Sequence, residues 1–282
     1  VKFYLFAKFF TQMSVPELME YCASAGIDGP TALVREGYPL PPDMLAEGLP
    51  GYIAEAEANG LEVKYADTPI DFNDPALSDR MFGILAQNGI ELIRLQYISK
   101  NSPDGPRALA GLGRRFAETA AEYGRRHSVR SVIQLHGGFY PHNATAAWPM
   151  VKDLDPRYVG IKIDPGNNLA QEGYEHWDYQ VGLLGEYIAA LGAKDAAHLR
   201  NGDPDSPSKG WSRPFVPAYE GMADYRRIYS LLHAAGFASG ESAIPSILMP
   251  FYHEKEPELL MRCLEKEIKY LKTCASGGKN NG

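Results

Sequence analysis

"PRALAGLGRRFAETAAEYGRRH" at residues 106–127, followed by "RSVIQLH" at 130–136, places an amphipathic stretch directly before a short apolar run. In the first, apolar residues recur at helical spacing among arginines and glutamates; the second is brief and branched, as a buried strand is. The same pair of patterns repeats along the chain. Strand-like runs stand at 2–9 ("KFYLFAKF"), 26–34 ("GIDGPTALV"), 61–67 ("LEVKYAD"), 90–98 ("IELIRLQYI"), 130–136, 158–164 ("YVGIKID"), 187–195 ("YIAALGAKD") and 242–251 ("SAIPSILMPF"). Helical patterns lie between them, including "VPELMEYCASAG" after the first run and "LPGYIAEAEANG" before the third. Several close on glycine, at Gly26, Gly60, Gly89 and Gly236, where a left-handed cap ends a helix without a Cβ penalty.

Strands that alternate with helices pair in parallel, because each right-handed crossover returns the chain to the same sheet edge. Eight such units in 282 residues match the size of a closed barrel, so the expected architecture is α/β, a single (β/α)8 TIM barrel over 1–274. The tail 275–282, ending "SGGKNNG", is expected to be disordered. An open doubly wound sheet is the rival, weakened because no GxGxxG turn follows an early strand. The longest irregular segment, 196–221, follows the seventh run and falls on the face where barrel active sites form.

Composition narrows the partners. A net charge of −7 disfavours a phosphate backbone, so no nucleic acid is expected, and a small molecule is. No apolar run is long enough to cross a bilayer, so no membrane partner is expected either. Three cysteines, Cys22, Cys263 and Cys274, lack metal-type spacing and suit a reducing, cytoplasmic setting, although a cleaved export signal before Val1 stays compatible with the sequence. A homo-oligomer is equally compatible.

Polar residues crowd the carboxyl ends of the runs: Arg94 and Gln96 on the fourth, Gln134 and His136 on the fifth, Lys162 and Asp164 on the sixth, Lys194 and Asp195 on the seventh. Glu220 lies in the long loop, and "DPGN" at 164–167 ends in Asn167. Buried polar side chains are costly unless paired, so a set converging on one mouth points to a binding or catalytic pocket. Each residue also has an ordinary explanation. Lys162 can neutralise Asp164 as a core pair, "DPGN" can be a plain turn, His136 before two glycines can be a cap, and Tyr65 and Tyr97 can be common strand aromatics.

The sequence resembles the xylose isomerase-like TIM barrel superfamily of sugar isomerases and epimerases. The matching stretches are "GIDGPTALVR" (26–35), "GLEVKYAD" (60–67), "VIQLHGG" (132–138), "YVGIKIDPGNN" (158–168), "GAKDA" (192–196) and "VPAYEGMADYRRIYSLLHAAGF" (216–237). Their order and spacing carry the likeness over nearly the whole chain. The resemblance implies a divalent ion (Mn²⁺, Mg²⁺, Co²⁺ or Zn²⁺) held by Glu on strand five, Asp on six, His on seven and Glu at the end of eight. Carried onto this chain, those positions become Gln134, Asp164, Gly192 and a place near Pro245 or Phe251, so Asp164 is the only retained ligand. One carboxylate and an amide neutralise a hard cation poorly, and the metal site reads as degenerate. No cofactor is expected, with Mn, Mg or Zn the alternative.

If Asp164 points into the barrel, so does Lys162 two residues earlier, and its ammonium can stand where the metal charge would be, with Lys194 adding a second. Three functions fit. One is isomerisation or epimerisation of a keto-sugar or related polyol by proton transfer next to a carbonyl. His136 or Glu220 would then be the base, Lys162 or Lys194 the electrophile, and Arg94, Gln96, Gln134, Asp164 and Asn167 would hold the carbohydrate. The second is Schiff-base chemistry on Lys162. The third is a non-catalytic sugar-binding or partner subunit.

Overall fold

Five helices open on a side chain that satisfies the free amides of their first turn. Ser14 and Glu17 form a reciprocal box at the start of α1 (Val15–Ala25), Asp74 caps α3 (Pro75–Gln87) and Asn143 caps α5 (Ala144–Val151). Asp164 caps α6 (Pro165–Ala170) and Asp224 caps α8 (Tyr225–Ala234). The remaining helices are α2 (Leu45–Ala58), α4 (Leu109–His127), α7 (Trp177–Leu184) and α9 (Pro257–Gly277). Gly26, Gly60, Gly89 and Gly236, read from sequence as helix ends, all have positive φ, between 71° and 84°. The computed structural model describes residues 1–101, 103–238 and 243–277.

The eight expected strands are present and shorter than their apolar runs. They are β1 (Phe3–Leu5), β2 in two pieces (Gly29–Pro30 and Ala32–Leu33), β3 (Tyr65–Asp67), β4 (Leu92–Arg94), β5 (Arg130–Gln134), β6 (Val159–Ile163), β7 (Ile188–Ala193) and β8 (Ser246–Leu248). All neighbours are parallel. The first piece of β2 pairs with β1 and the second with β3, which brings the ring round into a nearly closed barrel. Residues on either side of each strand divide two cores. Ile161, Ile163, Leu191 and Leu248 pack outward against the helices, whereas Tyr4, Tyr65, Val132, Ala190 and Ile247 fill the barrel.

Three expectations need correction. Ala7–Phe9 is a 3₁₀ turn rather than the end of β1, and β4 stops at Arg94, so Gln96 lies beyond the strand. Residues 196–221 are not irregular throughout: Asp195–Ala196 pairs antiparallel with Phe215–Val216, and Leu199–Arg200 with Trp211–Ser212. Together they form a hairpin arm on the carboxyl face. α9 continues to Gly277, three residues into the expected tail; residues 278–282, and Ser242 at the start of the eighth run, lie outside the described residues. Among the described residues no helix is long and apolar enough to cross a membrane, and all three cysteines are buried and unpaired.

Candidate active site

Asp164 is the hub of the barrel mouth. "DPGN" proves to be the start of a short helix rather than a plain turn. Oδ1 of Asp164 accepts the Asn167 amide at 2.9 Å, and Gly166 allows α6 to lie on the Lys194 backbone, where a Cβ would come within 2.8 Å of its carbonyl. Oδ2 accepts from Gln134 Nε2 at 2.7 Å and from Asn167 Nδ2 at 2.9 Å. Gln134 Oε1 in turn accepts from Tyr97 Oη at 3.1 Å and Arg94 Nε at 3.3 Å. Arg94 reaches Asp67 Oδ1 at 3.9 Å, and Asp67 Oδ2 accepts from Thr31 Oγ1 at 2.9 Å. The chain of contacts therefore runs through β2, β3, β4, β5 and β6, and an amide serves at its centre because it must donate and accept at once.

The lysines divide differently from the sequence expectation. Lys194, not Lys162, pairs with Asp164, its Nζ standing 3.5 Å from Oδ2 and donating to Asn167 Oδ1 at 2.5 Å. The Tyr225 phenol on α8 fixes the Lys194 backbone, donating to its carbonyl and accepting its amide proton. The ammonium also lies against the faces of Phe215, on the hairpin arm, and Phe251, after β8, with ring centres 4.4 and 4.6 Å away. Burial holds the Lys194 pKa below the usual lysine range against the pull of Asp164. Lys162 does point into the barrel, as alternation requires, but its Nζ is wholly buried and has no hydrogen-bond partner. Burial pushes its pKa down to about 8, opposed by Asp67 and Asp164.

His136 stands just past β5 in an aromatic corner, its ring centre 4.7 Å from Tyr97 and 5.2 Å from Phe139. A short ribbon between Ile98–Ser99 and Phe139–Tyr140 holds this corner together. Nδ1 lies 2.5 Å from the Gly137 carbonyl. A carbonyl only accepts, so Nδ1 carries the proton and Nε2 is left with its lone pair. Burial depresses the His136 pKa, which makes the neutral ring the resting form.

Two sequence candidates fall outside this set. Gln96 is exposed, its Oε1 turned back to accept the Tyr97 amide. Glu220 is exposed in the turn after Pro217. What that turn contributes is its neighbour Gly221, where a Cβ would come within 2.0 Å of Asp195 Cγ. Other residues stand in the mouth instead: Tyr65 and Tyr97, read from sequence as ordinary strand aromatics, with Asp67 inside it, and Phe215 with Phe251, read only as a lost ligand position, over it. The alternation of Tyr65 with Asp67 in "KYAD", ending level with Arg94, is the signal that could have found Tyr65 and Asp67.

Two buried carboxyls anchor the wall behind Lys194. Asp195 accepts the amides of Ala196, Met222 and Ala223, and Glu267 of α9 accepts the Ala218 amide and the Tyr252 hydroxyl, each at 2.6 Å. Burial raises both to about 7. A carboxyl whose folded pKa is raised contributes stability that is complete below its ordinary range, near 4.5 for Glu267, and is lost as pH climbs through about 7. For Glu267 the loss is on the order of 3 kcal/mol. Urea unfolding of Glu267→Gln is therefore expected to show about half the wild-type fall in stability between about pH 4.5 and pH 7, Asp195 supplying the remainder. An unaltered slope would show that Glu267 keeps its charge in the fold.

The donors present do not fit the divalent ion that the resemblance implies. Among the described residues no three His, Cys, Asp or Glu side chains come together as a ligand set. Both oxygens of Asp164 are engaged by N–H donors, and a fixed ammonium sits beside the one facing the barrel. At the Gly192 position a Cβ would already lie 3.2 Å from both Asp164 Oδ2 and Lys162 Cε. A concavity of about 1270 Å³ lies at the opposite, amino end of the barrel. Polar side chains there pair with one another, Lys2 with Asp28 and Glu62, and Tyr4 with Glu62.

An eight-stranded parallel barrel with its polar side chains gathered at the carboxyl ends of the strands defines a (β/α)8 barrel with a mouth-facing site. The family model for xylose isomerase-like TIM barrels matches residues 19–259, and the chain belongs to that family. Solved structures agree in fold. A xylose isomerase-like TIM barrel protein from Mycobacterium smegmatis in complex with magnesium superposes with a TM-score of 0.68 at 16% identity, covering 98% of this chain and 97% of that one. The probable 3-DHS dehydratase AsbF from Bacillus anthracis gives 0.68 at 15% identity, over 96% and 99%. D-psicose 3-epimerase in the presence of D-fructose gives 0.68 at 14%, over 98% and 100%. No curated protein matches the sequence.

Proposed function

We propose that this chain is an isomerase or epimerase of a keto-sugar or related polyol that moves a proton next to a carbonyl, with lysine in place of a divalent ion. The observation that carries the reading is geometric: His136, its Nδ1 turned to the Gly137 carbonyl so that Nε2 keeps its lone pair, packs on Tyr97, whose hydroxyl donates to Gln134, the partner of Asp164, which in turn pairs with the Lys194 ammonium. His136 Nε2 takes the proton from the carbon beside the carbonyl. The electron pair of that C–H bond moves toward the carbonyl oxygen, and the Lys194 ammonium stabilises the resulting enediolate. Return of the proton to the former carbonyl carbon, with the adjoining hydroxyl proton passing to the other enediolate oxygen, gives the isomer; return to the original carbon after the enediolate has turned its opposite face to His136 gives the epimer. Gln134 and Arg94 hold hydroxyls. Lys194 is 3% exposed, so Phe215 or Phe251 must move aside for the substrate, and the hairpin arm that carries Phe215 is the movable wall.

The test is a set of ketohexoses in D₂O with chelator-treated protein, followed by NMR. Deuterium is expected to enter the carbon next to the carbonyl of at least one ketose at a rate that added Mn²⁺ or Mg²⁺ does not raise. Exchange that depends on added metal would refute lysine as the electrophile, and ligand binding without any exchange would leave a sugar-binding protein. A second reading, imine formation by Lys162, draws on its unpartnered amine and depressed pKa. Borohydride trapping of a ketose on that residue separates the two.

A further inference from the structure

The barrel interior holds more positive than negative charge. Arg94, Lys162 and Lys194 face Asp67 and Asp164, and these are the charged groups that act on Lys162. Arg94 is matched by Asp67, and Lys194 by Asp164. Among the described residues Lys162 has neither an ion pair nor a hydrogen bond, although it is wholly buried. The Tyr65 hydroxyl is also buried and has no partner among the described residues, and the Lys162 ammonium lies over the Tyr65 ring, 5.5 Å from its centre. Two donors in one barrel interior without partners among the described residues, one of them charged, leave an acceptor to be supplied from outside. The β7 wall beside Lys162 carries little side chain: Ala190 stands opposite Lys162 in the β6–β7 register, and the next inward position is Gly192, which has none and lies close against Lys162 Cε.

We infer that the preferred substrate is a keto-sugar that also carries a carboxylate, bound more tightly than its neutral counterpart, and that Lys162 with the Tyr65 hydroxyl receives that carboxylate at the floor of the mouth. The inference rests on the carbohydrate reading above for the rest of the ligand. A single excess cation matches a monoanion. A phosphate would need further donors, and the first-turn amide of Asn167 in α6, a usual phosphate holder, is already taken by Asp164. The carboxylate enters along the β7 wall, its two oxygens accepting from Nζ and Oη, while the polyol chain points back toward Gln134 and Arg94.

Binding of D-gluconate, D-mannonate and D-galactonate to the whole chain, each measured by calorimetry against its own alditol, tests this without requiring turnover. At least one aldonate is expected to bind ten-fold or more tightly than its alditol. Lys162→Met is expected to erase that preference and, without ligand, to raise the melting temperature by about 2–5 °C, because an unpaired buried ammonium is replaced by an apolar chain of similar length. Tyr65→Phe is expected to fold normally and to weaken aldonate binding by about 3- to 10-fold with alditol binding unchanged. Lack of aldonate preference, preference that persists in Lys162→Met, a lower melting temperature in that variant, or a borohydride adduct of a ketose on Lys162 would each overturn the inference. Aldonate binding with no deuterium exchange into either the ketohexoses or 5-keto-D-gluconate would instead sink the proton-transfer reading and leave this one standing.

Discussion

Lys194→Met is expected to remove deuterium exchange and to lower the free energy of unfolding by about 3 kcal/mol, a fall in melting temperature on the order of 5–10 °C. Both effects follow from one contact. Asp164 is buried to 1% exposure, and its Oδ2 faces the only cation that pairs with it among the described residues. Methionine fills the same space and keeps contact with Phe215 and Phe251, so packing changes little while the carboxylate loses its counter-charge. The amides of Gln134 and Asn167 remain, which keeps the cost at the lower end for a broken buried pair. Lys162→Met is the informative contrast, since it has no partner to abandon and is expected to change stability in the opposite direction. Equal destabilisation by the two substitutions would show that the interior charges act as one pool rather than as one pair and one free cation.

The contrast between these lysines also marks where the sequence stopped being legible. Alternation along "YVGIKID" placed Lys162 and Asp164 on one inward face, and the structure agrees. Parity assigns a face, however, and says nothing about partners across the barrel. Asp164 lies past the end of β6, where its carboxylate bends toward α6 and β7 and meets Lys194. The strands themselves were readable because eight apolar runs and four capping glycines agree with one another. Gln96 and Glu220 lie away from the cluster for local reasons: β4 ends at Arg94, two residues before Gln96, and Glu220 sits on a turn whose tight approach to Asp195 is made by Gly221. Tyr97 was read as an ordinary strand aromatic and Phe251 only as a lost ligand position, because an aromatic residue at a strand end reads the same whether it packs a core or walls a site. Only the position of its neighbours in space separates the two.

His136→Asn is expected to slow deuterium exchange by about 10²- to 10⁴-fold while leaving the unfolding midpoint close to wild type. The ring is half-buried, and the hydrogen bond it makes goes to the adjacent Gly137 carbonyl. Its removal therefore forfeits only stacking on Tyr97 and Phe139, about 1 kcal/mol. The pH profile distinguishes a base from a mere positioning group. Burial, with Lys194 and Arg94 nearby, disfavours the imidazolium and outweighs the opposing pull of Asp164. Activity in the wild type should consequently rise with pH through a value below the ordinary histidine range, near 6.5, and be level at neutrality. The rise belongs to the free base, so the asparagine variant, which cannot titrate, should show a low rate without that acid limb. If the limb survives in the variant, the proton acceptor is another group in the mouth, and Asp164, released from Lys194 as the aromatic wall opens, becomes the candidate to test by Asp164→Asn.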